Sequence, residues 1–453
     1  MKIFKIDKQI GLEVYSTKGK GIGGNLRIKN SDFKVSEIEI NNKRLEFFRG
    51  HKDYSYLFDK KLEFISFNLQ KCGLSTFEAI KRISLKTGID INNFYYNGLK
   101  DKRGISVQKI CVKCNSLHLL TDFQDDNLIL FNFKKEKDFW ENEHWGNHFE
   151  IIIRNVHLPW NKCKKVIFSI QGQVNKDGLL NYFGYQRFGT IRQISHLIGK
   201  EIIMNNYETA LKKYLTIRSK YEDIQTEKIR KSINKDWPNI DIKILNYLPQ
   251  KFDYEKEIIK KIIETNLDYE NIMLSVFGRN LIELFVHAYQ GYLFNKMLSS
   301  RVKDIGKKIE IGDSVIILDN LKLPSNKIVI VDNRNLDILN NLIKKKKAVL
   351  GIPLLGKNLP FLNIIMNNKY VKKIILREKV KIDELLSWSN YEIIIKGVYR
   401  PFLVFPKALK FKLLNNSDNK NDLINILTSF SIQKGTYATI LLREFMKTDP
   451  LNY

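Results

Sequence analysis

From Gly23 to about Phe67 the chain reads as a series of short strands. In GGNLRIKNSDFKVSEIEI the apolar and polar positions alternate at Phe33, Val35 and Ile38 to Ile40, the period of two that sets one face of a pleated strand on a core. The period then changes. In TFEAIKRISLKT, Thr76 to Thr87, the apolar positions Phe77, Ile80 and Ile83 to Leu85 recur at helical spacing, with Thr76 as the expected N-cap and Gly88 as the stop. Tyr95 to Lys113 reads as strand, turn and strand, and HFEIIIRNV, His148 to Val156, is the clearest strand of the first half.

After GYQRFGT, Gly184 to Thr190, the texture turns helical and lysine-rich from about Ile194 to Ile263. NLIELFVHAYQGYLFNKMLSSR, Asn280 to Arg301, sets Leu281, Leu284, Phe285, Ala288 and Tyr292 at helical spacing and reads as a core helix of a second domain. SVIIL and KIVIV read as short strands, and Lys344 to Lys347 as a solvated run. Strand patterns resume at YEIIIKGVYRPFLVFP, Tyr391 to Pro406, and end with GTYATILLREFMK, Gly435 to Lys447. Strand-rich texture at both ends is what an insertion into one sheet domain would leave. No repeat recurs at a fixed period.

Composition narrows the class. A chain of 453 residues has room for two or three domains, and 43% hydrophobic residues with 27 Phe, 20 Tyr and 5 Trp supply cores for them. The 76 Lys and Arg against 49 Asp and Glu leave a net charge of +27. That excess suits a polyanion, because each phosphate neutralised releases counterions. Four cysteines are too few for a disulfide scaffold. Cys111 and Cys114 form a CxxC, but Cys72 and Cys163 stand apart, so no second ligand pair completes a zinc site. No apolar run approaches the roughly 20 residues that span a bilayer. MKIFKIDKQIGLEVY lacks a leader's apolar stretch. A cytoplasmic location is expected.

Among these cations, YYNGLKDKRGISVQK, Tyr95 to Lys109, holds a single carboxylate, Asp101, between Lys100 and Lys102. A carboxylate kept ionised by cations and fixed by a turn can act as nucleophile or base. The same residues also describe an ordinary solvated Asp turn. His144 and His148 have the spacing of a helical metal pair, but the strand pattern beginning at His148 breaks that geometry. His287 lies near the apolar side of a helix and reads as a packing residue, and GKGIGGN lacks the GK[ST] ending of a phosphate loop.

NGLKDKRGISVQ resembles the GxKDxxAxTxQ signature of the TruD family of pseudouridine synthases at Gly98, Lys100, Asp101 and Gln108, with Gly104 and Ser106 in place of the family's Ala and Thr. LRIKNSDFKVSE is similar to the family's first motif, its basic residue at Arg27 and its usual proline replaced by Ser31. GNHFEIIIRNV matches an Asn-x-Phe motif at Asn147 and Phe149, and NYFGYQRFGT from Asn181 matches NYFGxQRFG. AYQGYLFNKMLSSR resembles the helix of the family's inserted domain, and GTYATILLREFMK its closing segment. These six motifs run in family order from residue 26 to 447.

The resemblance implies an α+β fold: a pseudouridine-synthase-like, mixed but mostly antiparallel sheet domain with an inserted, largely helical α/β domain. The expected boundaries are 1–190 and 397–453 for the sheet domain and 191–396 for the insertion. The implied activity is isomerisation of uridine to pseudouridine, at uridine 13 of tRNA, without metal or cofactor. Asp101 is the implied catalytic residue. Phe149, Asn147, Arg27, Lys100, Gln108 and Arg187 are the implied substrate-binding set. Phe149 reads either as a platform for a flipped base or as a strand residue in the core. Arg27 reads as the partner of Asp101 or as a phosphate ligand, and Arg187 as a phosphate or structural residue. The expected partner is tRNA, with other RNAs as further candidates, no membrane and no obligatory protein partner, in a monomer. The competing reading is a noncatalytic RNA-binding or chaperone protein that retains the fold.

Overall fold

The computed structural model describes residues 3–50, 63–114, 116–138, 144–189, 191–250, 252–264, 268–414 and 423–452. Residues 51–62 of the expected strand-like stretch lie outside that set. The chain divides into two units, Ser16–Leu179 with Val404–Tyr453, and Lys2–Tyr15 with Leu180–Leu403.

The first unit is built on one sheet. Its strands are β1 (Phe33–Glu39), β2 (Phe64–Cys72), β3 (Phe94–Tyr96), β4 (Ile105–Lys113), β5 (Leu128–Glu136), β6 (His144–Val156), β7 (Lys407–Leu414) and β8 (Ile424–Gln433). Among the described residues their order is β7-β8-β6-β1-β4-β2-β5, with β3 paired to β4. The β1–β4 ladder is parallel and the others are antiparallel. The sheet is thus mixed and mostly antiparallel, and strands from both ends of the chain meet where β6 pairs with β8.

Residues opposite one another across a ladder share a face. Val35 lies opposite Ser106 and Phe149, Glu37 opposite Asn147, Phe149 opposite Phe430, and Lys71 opposite Ser106. At one end of this face Ile65, Phe67, Leu69, Ile110 and Val112 pack with Ala79, Ile80 and Ile83 of helix α1 (Thr76–Thr87). Burial of each such side chain contributes about 1.5–3 kcal/mol for the larger ones. Farther along β4 the same face turns polar, at Gln108 and Ser106. The polar end is where the motif residues collect.

Helix α1 has the expected span, with a different cap and a narrower apolar side. Ser75 is its N-cap: its hydroxyl accepts from the Glu78 amide while Glu78 accepts from the Ser75 amide. Phe77 and Leu85 are exposed, leaving the hydroxyl of Thr76 free to point inward. Tyr391–Ile395 is not a strand. Tyr391 and Glu392 take left-handed backbone angles; Lys396 makes a single parallel bridge to Lys357, and the strand itself is Val398–Pro401. GTYATILLREFMK forms helix α2 (Ala438–Met446), every residue of which is buried, so no polar face marked its helical period. INILTSFSIQ, at β8, is a strand the texture did not single out.

The second unit is largely helical with a small antiparallel sheet. Helices Ser195–Ile203, Tyr207–Thr216, Ile224–Asp236 and Asp253–Glu264 precede the long Tyr269–Asp304, which carries a non-helical Gly278. Within that long helix Phe285 and Ala288 are buried and Leu284 is exposed. Its sheet runs Val398–Pro401, Ala348–Leu354, Ser314–Leu318, Pro324–Ile330. The chain passes between units at 15/16, 179/180 and 403/404, so residues 2–15, 180–189 and 397–403, expected in the sheet domain, group with the second unit. The reason is local. The Asn295 amide donates to Phe183 O at 3.1 Å and Ile10 O at 2.9 Å, and the Tyr185 hydroxyl donates to buried Asp7, which ties both the 181–188 segment and the N-terminal segment to the long helix. Among the described residues no helix is long and apolar enough to cross a membrane.

Candidate active site

Asp101 lies on the loop from β3 to β4. Gly98 starts that loop with a left-handed φ of 81°. At its far end Gly104 passes so close to β1 that an added Cβ would meet Phe33 O at 2.5 Å, which accounts for glycine where the resembling signature has alanine. Between them the Lys100 amide donates to Thr76 Oγ1 at 2.9 Å, and the Thr76 hydroxyl donates to Gln108 Oε1 at 2.8 Å. Gln108 is buried in β4, and its Nε2 has no hydrogen-bond partner among the described residues. Helix α1 and strand β4 therefore hold the loop from two sides.

The cations around Asp101 have separate partners. Arg27 Nη2 donates to Asp101 Oδ2 at 2.5 Å. Arg27 is not on a strand; it sits in the loop before β1 with a left-handed φ of 56°. Its guanidinium lies 4.1 Å over the Phe33 ring, a cation–π contact. Burial pulls its pKa down while Asp101 pushes it up, and a guanidinium stays charged under either influence. Lys100 turns inward to Glu37 Oε1 at 2.6 Å, both side chains buried, and Glu37 Oε2 also accepts from the Lys109 amide. Lys102 pairs with Glu78 at 2.6 Å on the surface, and Arg103 donates to the Arg27 carbonyl at 3.0 Å.

Asp101 itself is 42% exposed by side chain against 7% for Arg27. Its Oδ1 makes no protein hydrogen bond among the described residues. One oxygen is fixed on a side chain that remains partly exposed, the arrangement a carboxylate needs to act on a bound molecule.

Phe149 and Asn147 stand two residues apart on β6, on the face shared with Glu37 and Val35. Phe149 is 7% exposed; it stacks on Phe430 at 5.4 Å and meets Phe33 edge-on at 5.9 Å. It is the middle of an aromatic row ending under the Arg27 guanidinium. Asn147 Oδ1 is buried with no partner among the described residues, as is Ser106 Oγ. Arg187 belongs to the second unit, on the turn Tyr185–Arg187, with its guanidinium 5.2 Å over Phe183. The expected set thus divides: Asp101, Arg27, Lys100, Gln108, Asn147 and Phe149 share one sheet unit, and Arg187 lies in the other.

His144 and His148 are both pushed down to about 4, burial first and then nearby cations, so they are neutral at pH 7. His148 shares a hydrogen bond with Ser431. Among the described residues no three His, Cys, Asp or Glu side chains gather as a metal site. Burial pushes the Cys111 thiol up to about 12, and all four cysteines are unpaired.

Three residues at the site escaped sequence reasoning: Glu37, Thr76 and Lys71. Lys71 carried a readable signal. Phe67, Leu69 and Lys71 alternate along β2, so a lysine occupies a buried register.

A family model described as tRNA pseudouridine synthase D (TruD) matches residues 9–445. A Methanosarcina barkeri protein described as "Probable tRNA pseudouridine synthase D" is 30% identical, over 100% of this chain and 99% of the relative. An Archaeoglobus fulgidus protein with the same description is 28% identical over 98% and 100%. The chain is also similar to a crystal structure of a Methanosarcina mazei protein carrying the same family name, with a TM-score of 0.76, 25% identity and full coverage of both chains.

Proposed function

From the premise that this chain belongs to the tRNA pseudouridine synthase D (TruD) family, and is therefore an isomerase that forms pseudouridine in tRNA, we propose that it acts at uridine 13 with Asp101 as its catalytic carboxylate. The observation that carries this reading is the Arg27–Asp101 pair, in which a buried guanidinium holds one oxygen of a carboxylate whose side chain stays partly exposed. The reaction breaks the N1–C1′ bond of uridine, turns the freed uracil and joins C5 to C1′. The C5 proton is lost and N1 gains one, so nothing is added or removed overall.

A uridine inside folded tRNA is stacked, so the target base leaves its stack to reach Asp101. The unpaired buried atoms Asn147 Oδ1 and Gln108 Nε2, an acceptor and a donor near the same polar end of the sheet, suit the edge of a uracil. Phe149 supports them from the aromatic row. Lys100 acts through Glu37 and not by direct contact, and Arg187 serves tRNA from the second unit. The chemistry asked of these side chains needs no cofactor, since an ionised carboxylate can attack or deprotonate a nucleoside carbon.

The test is release of tritium from tRNA labelled at uracil C5, with pseudouridine mapping of the product. The parent protein releases label and marks position 13, whereas Asp101→Asn binds tRNA and releases none. Release by Asp101→Asn within about tenfold of the parent, less than about 1.4 kcal/mol of barrier, overturns the role of Asp101. Binding with no release by the parent supports the noncatalytic reading instead.

A further inference from the structure

Lys71 is a fully buried lysine on β2. Taking an ammonium out of water is unfavourable unless its protons find acceptors. Here they find three. Nζ lies 2.6 Å from Leu74 O, 2.8 Å from Asp101 O and 3.3 Å from Lys100 O. An ammonium has three N–H donors and no acceptor, so these carbonyls match its whole capacity. Leu74 leads into α1, and the other two are successive carbonyls of the Asp101 loop.

We propose that Lys71, as an ammonium, is a positioning residue for the isomerisation: it clamps the Lys100 and Asp101 carbonyls against the start of α1 and so sets the direction of the Asp101 carboxylate. The inference rests on the reading of Asp101 as the catalytic group. A neutral amine has one N–H fewer and donates more weakly, so loss of the proton loosens the loop without touching the carboxylate.

The surroundings set where this happens. Burial brings the Lys71 pKa down from 10.5 to about 8; Asp101 on the loop, Glu78 on α1 and Cys72 on β2 favour the charged form, and Lys100 on the loop opposes it. The flanking strands β4 and β5 put Ser106 and Leu128 opposite Lys71 and add no charge there. The sign for folding is opposite to that for activity. Between about 8 and 10.5 the unfolded chain holds more protons at this lysine than the folded one, so its contribution to stability rises with pH. Activity falls over the same range.

The experiment is single-turnover isomerisation of transcribed tRNA by the full chain from about pH 6.5 to 9.5, with filter binding and Tm at each pH, for the parent, Lys71→Met, Lys71→Arg and Asp101→Asn. The parent rate is expected to fall about tenfold per pH unit above 8, with tRNA binding and Tm not falling in step. Lys71→Met is expected to lose about a hundredfold at pH 7, to bind tRNA as the parent does and to lack that limb. Lys71→Arg, charged throughout, recovers part of the rate and also lacks the limb. A Lys71→Met rate within about threefold of the parent, a limb near 8 persisting in either variant, or a parent profile with none, overturns the inference. If a variant does not fold, the parent limb with undiminished Tm decides. Asp101→Asn separates the two readings: if it is active, the assignment of Asp101 fails, and if it is inactive while Lys71→Met is fast, only the clamp fails.

Discussion

Arg27 donates to Asp101 across 2.5 Å from a guanidinium that is almost wholly buried to a carboxylate that is 42% exposed. The asymmetry assigns the work. The arginine is fixed by Phe33 beneath it and by its left-handed backbone, so the aspartate is oriented by the protein on one side and open on the other.

Replacing Arg27 with Met removes the nearest cation from Asp101 while keeping most of the packing on Phe33. The carboxylate then loses the donor that fixes its direction, so the isomerisation rate should fall by about a hundredfold while tRNA binding, which rests mostly on phosphates, holds. Arg27→Lys should restore part of the difference. Single-turnover rates with filter binding check this, and an Arg27→Met rate within about threefold of the parent assigns the guanidinium to another task.

Lys100 and Glu37 are joined at 2.6 Å and both are buried. Lys100→Met leaves a carboxylate inside the sheet with no countercharge, which should cost about 3–5 kcal/mol. Adding Glu37→Gln should return much of that loss, because the stranded charge disappears. Denaturant unfolding of both single variants and the double variant measures the coupling. Additive losses would mean that the pair is not what holds this end of β1 to the loop.

Phe149 is packed between Phe430 and Phe33. Phe149→Ala should cost about 3–5 kcal/mol of stability, as removal of a buried ring does. Since Phe33 lies under Arg27, the gap should also reach the Asp101 loop. Turnover is expected to fall more than tRNA affinity, which rests mostly on phosphates. Phe430→Ala is the control: at an equal drop in Tm it should retain more turnover, being one ring farther from Arg27. Equal rate losses would reduce Phe149 to packing alone.

The elements with a clean period were legible in the chain: α1 from Ile80 and Ile83, β6 from its alternating apolar run, and the strand–turn–strand around Asp101. Helix α2 was read as strand because tertiary packing buries it on every side, which erases the polar face that distinguishes a period of 3.6 from one of two. At the site, the residues that match the signature positions were found, and the side chains that hold them were not, even where they lie inside a quoted stretch, as Glu37 and Thr76 do. Glu37, Thr76 and Lys71 act through contacts with loop atoms distant in sequence, and only register or a buried-face lysine hints at them. Arg187 sits in a motif contiguous with the sheet domain, yet Asn295 binds that motif to the long helix of the other unit, a pairing that no local pattern reports.

Glu78 links the cap of α1 to this site and gives a stability test with a defined sign. Its carboxyl is held down to about 2, first by the Lys102 ammonium at 2.6 Å and then by the Ser75 amide. Between that value and its ordinary 4.5 the unfolded chain binds more protons, so the contribution of Glu78 is fully present above about 4.5 and is lost as pH falls through about 2. Both side chains are well exposed, so water screens the pair, and the gain at pH 7 should be about 0.5–1 kcal/mol. Glu78→Gln keeps an oxygen that can cap Ser75 and removes the charge alone. Its Tm should lie below the parent's at pH 7, approach it as pH drops below about 4.5, and do the same in about 1 M salt at neutral pH. Lys102→Met should reproduce that deficit, and the double variant should add little to it. A deficit in Glu78→Gln that persists unchanged at pH 2 would mean that hydrogen-bond geometry, and not charge, is what Glu78 contributes to the start of α1.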